Sequence, residues 1–486
     1  MKKEILHLEK VSILHYLDEV DFYVKEGEIV GLIPLNNLGI EHFIGVIRDG
    51  LPIHYGFVTY DGKRVNDYLM SKPKKNNVLL ITKKTTLIDS LTVYENLFVI
   101  RKGFSKYIIN KKILINQTNV LLKSIGLNIK PETKVNDLNY FQQTALELIK
   151  AKIEYAKLVI LNCIPSFLSN DEILLLNSLI KRMSKSGMSF IYICNHHQEA
   201  FLVCERCYLM KEGRMVKDLY QYEMTDEVMS NFLYLFENSI KSEERKELYK
   251  KVDNLPPSCI INKVGYNSLK DFSVKIHSNE TIVLLDSDNS ITDDLISLLK
   301  NEVEPKSGYI VLENFPIEKG DRRIVILDKE YPGSALFFPM SVMDNILFCT
   351  DNKLKSVWFN KKVEKAIAKN LKIELGDIVF KKDLYDLSKE DLFKILSKKL
   401  LFQKPKLVVM VQPFSSFDMY QRLKNIEYID ELKKNGTSIL LLTLSLSDTL
   451  QVANRLLVVQ KGTIIKEYDR SQFSALTYLH GSIPSN

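Results

Sequence analysis

In the first half of the chain, segments with strand-like spacing of hydrophobic residues alternate with segments with helical spacing. Apolar and polar residues alternate from residue 5 to 24, a pattern typical of two antiparallel strands that each bury one face. Short apolar runs predict buried strands, and longer segments with helical spacing lie between them. The predicted buried strands are residues 29–33, 78–81, 158–161 and 190–194, and the predicted helices are residues 105–125, 141–153, 172–183 and 198–203.

Turn signals place two hairpins among these elements. Asp61-Gly62 follows the apolar stretch GFVTY, and Glu212-Gly213 lies between two strand-like runs at residues 209–216. Strands that alternate with helices indicate a mainly parallel sheet covered by helices, with antiparallel strands at its start.

The second half of the chain repeats the pattern of the first. The stretch LTVYEN at residues 91–96 recurs as MSVMDN at residues 340–345, an offset of 249 (340 − 91). Upstream of this stretch the offset is 252, as between Gly56 and Gly308 (308 − 56). The offset of 249 also separates Leu138 and Leu387, Arg206 and Arg455, and Gly213 and Gly462. The sequence therefore predicts two copies of one α/β domain.

A charged segment separates the two copies. It reads KSEERKELYKK near its end and stops at Pro256-Pro257, which favours a linker that contains a helix. The predicted organisation is a first domain at residues 1–220, a charged helical linker at residues 221–257 and a second domain at residues 258–486.

Composition narrows the partners of the chain. With 45% hydrophobic residues among 486, both domains have enough apolar material for packed cores. The net charge of +7 is a mild excess spread along the chain, so we expect no nucleic-acid partner. The N-terminus shows no signal peptide and no apolar run is long enough to cross a bilayer, so the expected location is the cytoplasm, peripheral to the inner face of the cell membrane.

The six cysteines are too few and too unevenly spaced to predict a disulfide framework. Cys204 and Cys207 form a CxxC, and Cys194, His196 and His197 lie just upstream. No second CxxC or distant HxxxH completes a set of four ligands, so no metal site is predicted.

The turn after the predicted strand at residues 29–33 lies where a phosphate-binding loop, GxxxxGK[S/T], would be expected. Residues 34–41 read PLNNLGIE, and Gly39 is the one loop residue retained. Ile40 supplies no cation and Glu41 places a carboxylate where a hydroxyl belongs. Taken alone, the segment reads as an ordinary turn between a strand and a helix. The predicted loop positions are Asn36, Asn37, Gly39, Ile40 and Glu41.

The order of these features, with LNYFQQTALELIKA, VILNCIPSFLSNDE and IYICNHHQEAFLVCERCYLMKEGRMV, resembles the ATP-binding cassette (ABC) domain. The tandem length resembles the double-cassette subunits of bacterial ribose-, galactose- or xylose-type importers, in a degenerate form. The resemblance implies two tandem domains related to P-loop NTPases, each with a mainly parallel sheet, an antiparallel β subdomain and a helical subdomain.

The resemblance also places the family's functional residues in the first domain. The signature sequence falls on residues 138–142, with Asn139, Phe141 and Gln142 at its polar and glycine positions. The Walker B aspartate and the catalytic glutamate fall on Asn162 and Cys163. The remaining matches are the Q-loop glutamine near Lys83, the switch histidine at Asn195 with His196 one place later, and an adenine-stacking aromatic at Tyr16.

The second domain departs from the family pattern in the same places. Its phosphate loop falls on residues 286–293, with three carboxylates expected to face the phosphates, and Val411 and Gln412 take the Walker B positions. The loop positions singled out are Asp286, Asn289, Ile291 and Thr292, and the signature positions are Ser388, Lys389 and Glu390. In this family each nucleotide lies between the phosphate loop of one domain and the signature of the other, so both composite sites lack the expected groups.

Three functions are compatible with these residues. The first is a pseudo-ATPase that docks on an integral membrane sugar-permease-like subunit, with a solute-binding or sensor protein as a possible further partner. The second is a working ATPase that energises carbohydrate import. The third is a ribosome- or nucleic-acid-associated tandem cassette protein. ATP and magnesium are the cofactors implied if any nucleotide binding is retained, and the sequence predicts no metal ligand of its own.

Overall fold

The computed structural model describes residues 3–69, 73–99, 110–164, 168–225, 227–229, 243–249, 255–286, 289–348, 361–415, 417–444, 446 and 448–473. The chain divides into two compact units. The first unit contains Met1–Tyr234 with Asp418–Tyr420, and the second contains Leu235–Phe417 with Gln421–Asn486. None of the described helices is long and apolar enough to cross a membrane.

The first unit combines two sheets with helices. A six-stranded sheet has the order β10-β9-β3-β8-β7-β6, in which β3 pairs in parallel with both β8 and β9, and a four-stranded antiparallel sheet has the order β2-β1-β4-β5. The strands are β1 Glu4–Ile13, β2 Leu17–Lys25, β3 Ile29–Pro34, β4 Tyr55–Tyr60, β5 Lys63–Asp67, β6 Val78–Ile81, β7 Leu158–Asn162, β8 Ser189–Ile193, β9 Arg206–Lys211 and β10 Arg214–Tyr220. The helices are α1 Ile40–Asp49, α2 Lys111–Ile125, α3 Tyr140–Ile153, α4 Asn170–Lys185 and α5 His197–Phe201, with a π-helical turn at Glu95–Val99.

The second unit has the same topology. Its six-stranded sheet has the order β16-β17-β18-β13-β19-β20 and its four-stranded sheet the order β12-β11-β14-β15. The strands are β11 Pro257–Tyr266, β12 Leu269–His277, β13 Thr281–Asp286, β14 Ser307–Leu312, β15 Phe315–Pro316, β16 Ile324–Leu327, β17 Leu407–Val411, β18 Ser438–Thr443, β19 Arg455–Gln460 and β20 Thr463–Asp469. The helices are α6 Glu243–Leu248, α7 Thr292–Leu299, α8 Val342–Leu347, α9 Lys361–Leu375, α10 Lys389–Gln403 and α11 Met419–Lys434.

Alternation along the central strands explains how each sheet is covered on both faces. In β3, Val30 and Leu32 pack with the antiparallel sheet and α1, whereas Ile29 and Ile33 pack with α3 and α4. A strand buried on both faces reads as a continuous apolar run, which is the pattern that predicted it. The predicted α/β class, the repeat and the antiparallel start are therefore confirmed.

The predicted helices can be compared with the structure only where residues are described. The helix predicted from residue 105 is described from Lys111, and residues 105–109 lie outside the described part. Most of the predicted linker also lies outside it, apart from residues 221–225, 227–229, 243–249 and 255–257. The domain limits at residues 220 and 257 remain predictions.

A buried ion pair ties the start of the central strand to its neighbour in each unit. Arg206 Nε lies 2.8 Å from Glu28 Oε1, and both residues are about 5% exposed or less. The backbone N–H of Lys25 donates to the same carboxylate. In the second unit Arg455 Nε lies 2.5 Å from Glu280 Oε1. The repeated arginines found in the sequence are therefore structural ligands of a buried glutamate.

The asparagine of each repeated hexapeptide is a backbone clamp. Asn96 is fully buried, accepts the N–H of Ile88 and donates to three carbonyls of the loop before it. Asn345 does the same, accepting from Phe337 N–H and donating to three carbonyls. A side-chain amide that meets four backbone groups fixes the loop, which accounts for the repeat of this residue.

The described end of the linker is anchored on the second unit through Tyr249, which is 1% exposed. The Tyr249 hydroxyl donates to Asp430 Oδ1 at 2.6 Å, and Arg245 Nε lies 2.6 Å from Asp430 Oδ2. Lys433 Nζ and the Arg470 guanidinium lie 4.6 and 4.7 Å from the centre of the tyrosine ring. The ring packs beside these two basic side chains, and the Asp430 carboxylate holds the Tyr249 hydroxyl and Arg245 against α11.

This cluster makes stability depend on pH through Lys433. Burial lowers the pKa of Lys433 to about 7, while an unfolded lysine titrates near 10.4. Between these values the unfolded chain binds the extra proton, so the free energy of unfolding should rise with pH, and below about 7 the penalty should be full and constant. We expect the stability of the chain relative to its Lys433→Met variant to increase by roughly 1.5 kcal/mol from pH 7.0 to 8.5.

Urea unfolding followed by far-UV circular dichroism measures this difference. A difference between the chain and the variant that stays constant over the same pH range would contradict a lysine that is neutral in the folded state.

Candidate functional site

The predicted phosphate loop of the first unit runs from the end of β3 to the start of α1. Gly39 precedes the helix with φ of 85°, and a Cβ added there would lie 2.3 Å from the Tyr16 carbonyl oxygen. Glycine is therefore required by the close approach of the β1–β2 turn. Ile40, at the position of the family's lysine, is 5% exposed and packs in the core beneath the antiparallel sheet.

Polar groups of this loop are engaged within the unit. The backbone N–H of Glu212 donates to Asn36 Oδ1 at 3.1 Å, and Leu35 N–H donates to the Met210 carbonyl at 2.8 Å. The Ile40 N–H faces the Asn37 carbonyl at 3.4 Å. Glu41 is exposed in the first turn of α1, where its negative charge complements the positive end of the helix dipole. A carboxylate thus occupies the end of the helix that would otherwise favour a phosphate.

Tyr16, the predicted adenine-stacking residue, is stacked on a side chain of its own unit. Its ring lies parallel to the His42 ring at 3.6 Å between centroids, and His42 belongs to the first turn of α1. One face of the Tyr16 ring is therefore covered. The equivalent turn of the second unit is tied to its helix in a different way. There Ser268 N–H and the Asn267 amide donate to Asp294, and Ser268 and Asp294 stand 252 residues after Tyr16 and His42.

The predicted phosphate loop of the second unit closes on its own carboxylate. Asp286, the last residue of β13, is 1% exposed. Its Oδ1 accepts the Ser290 N–H at 3.0 Å, and its Oδ2 accepts the Ile291 N–H at 3.0 Å and the Thr292 hydroxyl at 3.1 Å. These are the backbone and hydroxyl donors that a phosphate would use at the start of a helix. Asp286 therefore fills the anion position from inside the protein.

The expectation that three carboxylates of this loop face the phosphates needs correction. Asp286 points into the loop itself, and Asp293 is exposed in the first turn of α7. Asp288 lies outside the described residues, as does Ser287. Asn289 has φ of 50°, and its N–H donates to the Asp286 carbonyl. The loop is thus organised around the Asp286 carboxylate, which accepts hydrogen bonds from the loop. From the sequence, the same carboxylate was expected to repel a phosphate.

The predicted Walker B positions lie at the ends of β7 and β17. Cys163 follows β7 with φ of 55°, and its N–H donates to the Ile193 carbonyl at 2.8 Å. Burial, and next the nearby carboxylate of Glu199, raise the pKa of the Cys163 thiol to about 12. The thiol therefore stays protonated at neutral pH and cannot accept a proton from water. Asn162, beside it, offers an amide without charge.

Gln412 repeats the backbone of Cys163 in the second unit. It has φ of 48°, and its N–H donates to the Leu442 carbonyl at 2.7 Å. Val411, before it, is buried and apolar, so no oxygen stands at the position of a magnesium ligand. An amide has no proton-accepting strength near neutral pH, so neither pair of residues can act as a general base.

Asn195 faces the Walker B position. Asn195 is 2% exposed, and its Oδ1 lies 3.7 Å from Cys163 Sγ. His196 precedes α5 and is also buried. Lys83, near the predicted Q-loop position, lies after β6.

The predicted signature residues cap their own helices. Asn139 Oδ1 accepts the Gln142 N–H at 2.8 Å while Gln142 Oε1 accepts the Asn139 N–H, a reciprocal cap at the start of α3. Ser388 caps α10 by accepting the Asp391 N–H. Phe141 packs against the core of the first unit, Lys389 Nζ lies 4.9 Å from the centre of the Phe417 ring, and Glu390 pairs with Lys394 at 3.0 Å.

The thiols near the CxxC belong to the core. Cys194, Cys204 and Cys207 are buried, and a Cβ added to Gly31 would lie within 3.2 Å of both Cys204 Sγ and Cys207 Sγ. Burial raises the pKa of Cys194 and of Cys204 well above the usual thiol value. Within the described part of the chain, no group of three or more His, Cys, Asp or Glu side chains is placed to hold a metal ion.

The fold and the order of these sites define a class: two tandem ABC-type cassettes in one chain. No family model matches the chain. The homologues of this chain include ribose and xylose import ATP-binding proteins. The ribose import protein RbsA of Clostridium tetani is 23% identical over 481 residues, which cover 94% of this chain and 92% of the relative. The xylose import protein XylG of Geobacillus kaustophilus is 22% identical over 475 residues, covering 94% and 93%.

Solved structures confirm the tandem fold. A structure of RNase-L inhibitor matches with a TM-score of 0.62 at 16% identity, covering 97% of this chain and 92% of that one. An archaeal ribosome recycling factor, solved in complex with a ribosomal stalk protein, matches with a TM-score of 0.60 at 16% identity, covering 95% and 90%. At this identity the likeness concerns the fold alone.

Proposed function

We propose that the chain is a double-cassette subunit that docks on a permease-like membrane partner and does not hydrolyse ATP efficiently. The proposal rests on one observation: in both cassettes, the positions of the phosphate-binding lysine and the catalytic glutamate hold neither a cation nor a carboxylate. Ile40 and Thr292 stand where the family has its phosphate-binding lysine, and Cys163 and Gln412 stand where it has the catalytic glutamate. Such a protein works at the cytoplasmic face of the cell membrane.

The chemistry of phosphoryl transfer explains why these positions matter. The protein contributes mainly positioning and electrostatic stabilisation of the charge that develops on the transferred phosphoryl group. A buried isoleucine contributes neither, and a thiol with a pKa of about 12 cannot orient and deprotonate water. In the second cassette, the Asp286 carboxylate also opposes any phosphate that approaches the same donors.

Docking rests on the import relatives and on the two clamped hexapeptides. The residues that Asn96 and Asn345 clamp, Ile88 and Phe337, are 249 positions apart and are 44% and 45% exposed. In the second unit Phe348 lies 4.8 Å from Phe337 and is half exposed. A rigid loop that presents an apolar side chain in each unit suits a pair of equivalent membrane subunits. The sugar named in the relatives, ribose or xylose, is the expected substrate class of the partner.

Two alternatives give different results in the same assays. A working import ATPase requires hydrolysis despite the substitutions, and its support is the full-length similarity to import ATP-binding proteins. The second alternative is a ribosome-associated protein, and its support is the tandem fold that this chain shares with the recycling factor at 16% identity. Salt-dependent RNA binding would favour that second alternative.

The test is ATP turnover of the purified full-length chain with magnesium. We expect phosphate release at least about a thousandfold below that of a cassette that keeps the lysine and the carboxylate base. Magnesium-dependent turnover within tenfold of such a cassette would refute the proposal. Affinity purification from membranes should recover an integral membrane protein, and its repeated absence would remove the docking half of the proposal.

A restored loop serves as the matched control. The double variant Ile40→Lys and Glu41→Ser returns the family's lysine and hydroxyl to the first loop. It should remain inactive, because Asn162 and Cys163 still replace the acidic pair. Far-UV circular dichroism must show that the variant is folded, since Ile40 is buried in the core. Vigorous hydrolysis by this variant would show that the remaining positions do not limit the chemistry.

A further inference from the structure

The face of α11 that receives the linker has an uncovered counterpart on α4 of the first unit. In the second unit, Tyr249 and Arg245 of the linker contact Asp430, and the Arg245 guanidinium also donates to the Gln451 carbonyl at 3.1 Å. Subtracting the repeat offset of 249 from Asp430 and Gln451 gives Lys181 and Leu202. These two residues are exposed on the first unit.

A cavity adjoins first-unit residues that correspond, at the offset of 249, to residues near Tyr249 in the second unit. The second-unit residues around the tyrosine ring include Lys433, whose ammonium group donates to Asn454. Their first-unit equivalents, Ser184 and Glu205, line a cavity of about 480 Å³ that also includes Lys181. Because small Ser184 replaces a lysine, space remains at this position.

The cavity lies away from the predicted phosphate loop. Its lining includes Gly27, Gly187 and Glu205, which precede β3, β8 and β9 at the amino ends of these parallel strands. The phosphate loop follows the carboxyl end of β3. A ligand in the cavity would therefore leave the loop accessible.

The charge of this face is reversed between the units. Asp430 and Glu431 of α11 become Lys181 and Arg182 of α4, and Lys185 is exposed one turn further on. Two exposed leucines, Leu174 and Leu202, flank these basic residues in an adjoining cleft. Glu26 and Glu205, which are also exposed, line the cavity, whereas the adjoining cleft is lined by Lys181, Arg182 and Lys185 and, among the described residues, by no acidic one. A segment like the linker, with acidic residues in place of Arg245, complements this face.

We propose that the α4 face of the first unit, defined by Leu174, Lys181, Arg182, Lys185 and Leu202, binds an acidic helical segment of a partner protein. An aromatic side chain of that segment enters the cavity, and its carboxylates pair with the basic residues. Lys181 Nζ donates to the Leu202 carbonyl at 2.9 Å and Arg182 donates to the Ile125 carbonyl at 3.0 Å, so both basic side chains are held on this face. The interaction depends neither on ATP hydrolysis nor on docking at the hexapeptide loops, so ATP assays leave it untouched.

A peptide designed from the linker tests the proposal on the full-length chain. The probe is a stapled helical peptide of residues 241–251 with Arg245→Glu and Lys246→Glu, and its binding is followed by fluorescence anisotropy. We expect saturable binding that weakens with added salt, and at least about tenfold weaker binding to the chain with Lys181→Glu and Arg182→Glu. Lys112→Glu, an exposed charge reversal on α2, should leave binding unchanged.

Two further peptides identify the binding mode. The unaltered stapled linker peptide should not bind, and the acidic probe with Tyr249→Ala should lose most of its affinity because the cavity is left unfilled. Equal binding of the acidic and unaltered peptides, or binding indifferent to Lys181→Glu and Arg182→Glu, would overturn the proposal. Self-association of the chain that this double variant abolishes would assign the face to a second copy instead.

Discussion

Replacing Arg206 by methionine is expected to lower the free energy of unfolding of the first unit by about 3 to 5 kcal/mol. Arg206 is 4% exposed, and its guanidinium contacts the Glu28 carboxylate, the Tyr208 hydroxyl and the Tyr23 carbonyl. Methionine fills a similar volume but leaves Glu28 charged and without its cationic partner. The cost comes mainly from that uncompensated carboxylate, and the lost contact with the Tyr23 ring at 3.8 Å adds to it.

Hydrogen–deuterium exchange of β3 and β9 in a urea series measures this loss within the first unit. The control is Arg214→Met, which breaks the exposed pair of Arg214 with Asp18 and should cost no more than about 1 kcal/mol. Adding Glu28→Gln to Arg206→Met should recover part of the stability, since a neutral amide needs no counter-charge. A double variant less stable than Arg206→Met would contradict the ion-pair explanation.

Asp286→Ala is expected to destabilise the second unit by roughly 3 to 5 kcal/mol, a large effect for a residue at the end of a strand. The Asp286 carboxylate accepts two backbone N–H groups and two hydroxyls, those of Ser290 and Thr292. Hydrogen bonds to a charged acceptor are the stronger ones, and alanine leaves the buried Ile291 N–H without an acceptor. The start of α7 would therefore lose its anchor.

The matched control is Asp293→Asn, which removes a charge from the next turn without touching the loop donors. Asp293 is exposed, so this variant should change the free energy of unfolding by less than about 1 kcal/mol. Hydrogen–deuterium exchange of β13 and α7 in a urea series compares the two variants within the second unit. Equal stability of Asp286→Ala and the unaltered chain would mean that water or another group satisfies the loop donors as well as Asp286 does.

The two predicted phosphate loops differ in the residue that could fill them. Asp286 corresponds to Pro34 at the offset of 252, and proline has no side-chain acceptor. The first loop is instead packed by Tyr16, Gly39 and the buried Ile40. If either cassette retains any affinity for a nucleotide, the first is the better candidate, because its loop holds no internal carboxylate in the anion position.

Residue type and spacing predicted much of the fold. The continuous apolar run of β3, the alternation in β1 and β2 and the turn residues at positions 61 and 212 reflect local rules, so the elements lie where the pattern placed them. The repeat offset then fixed the second unit from the first. Helix ends were less certain: α4 begins at Asn170 and not at residue 172, since Ser169 caps it with Glu172.

The sequence predicted which catalytic groups the candidate site lacks, but not how the remaining side chains fill it. Ile40, Cys163 and Gln412 stand where the family has a lysine or a glutamate, and residue identity alone shows that these charged groups are missing. Residue identity does not show the direction of the Asp286 side chain, because a carboxylate next to a loop can face a ligand or turn inward. The sequence analysis predicted that Asp286 faces a ligand. In the structure it turns inward, because the loop amides of Ser290 and Ile291 donate to it.

The sequence by itself determined the tandem α/β fold, the internal repeat and the loss of the family's lysine and acidic residues. These three features depend only on residue identity, on the spacing of nearby residues and on the offset between the two repeats. Only the tertiary structure decided that Arg206 pairs with Glu28, that Tyr249 is held at Asp430 and that Lys181 and Arg182 of α4 are exposed. Such contacts join positions up to about 180 residues apart, where only the folded chain decides which groups meet and lose their water.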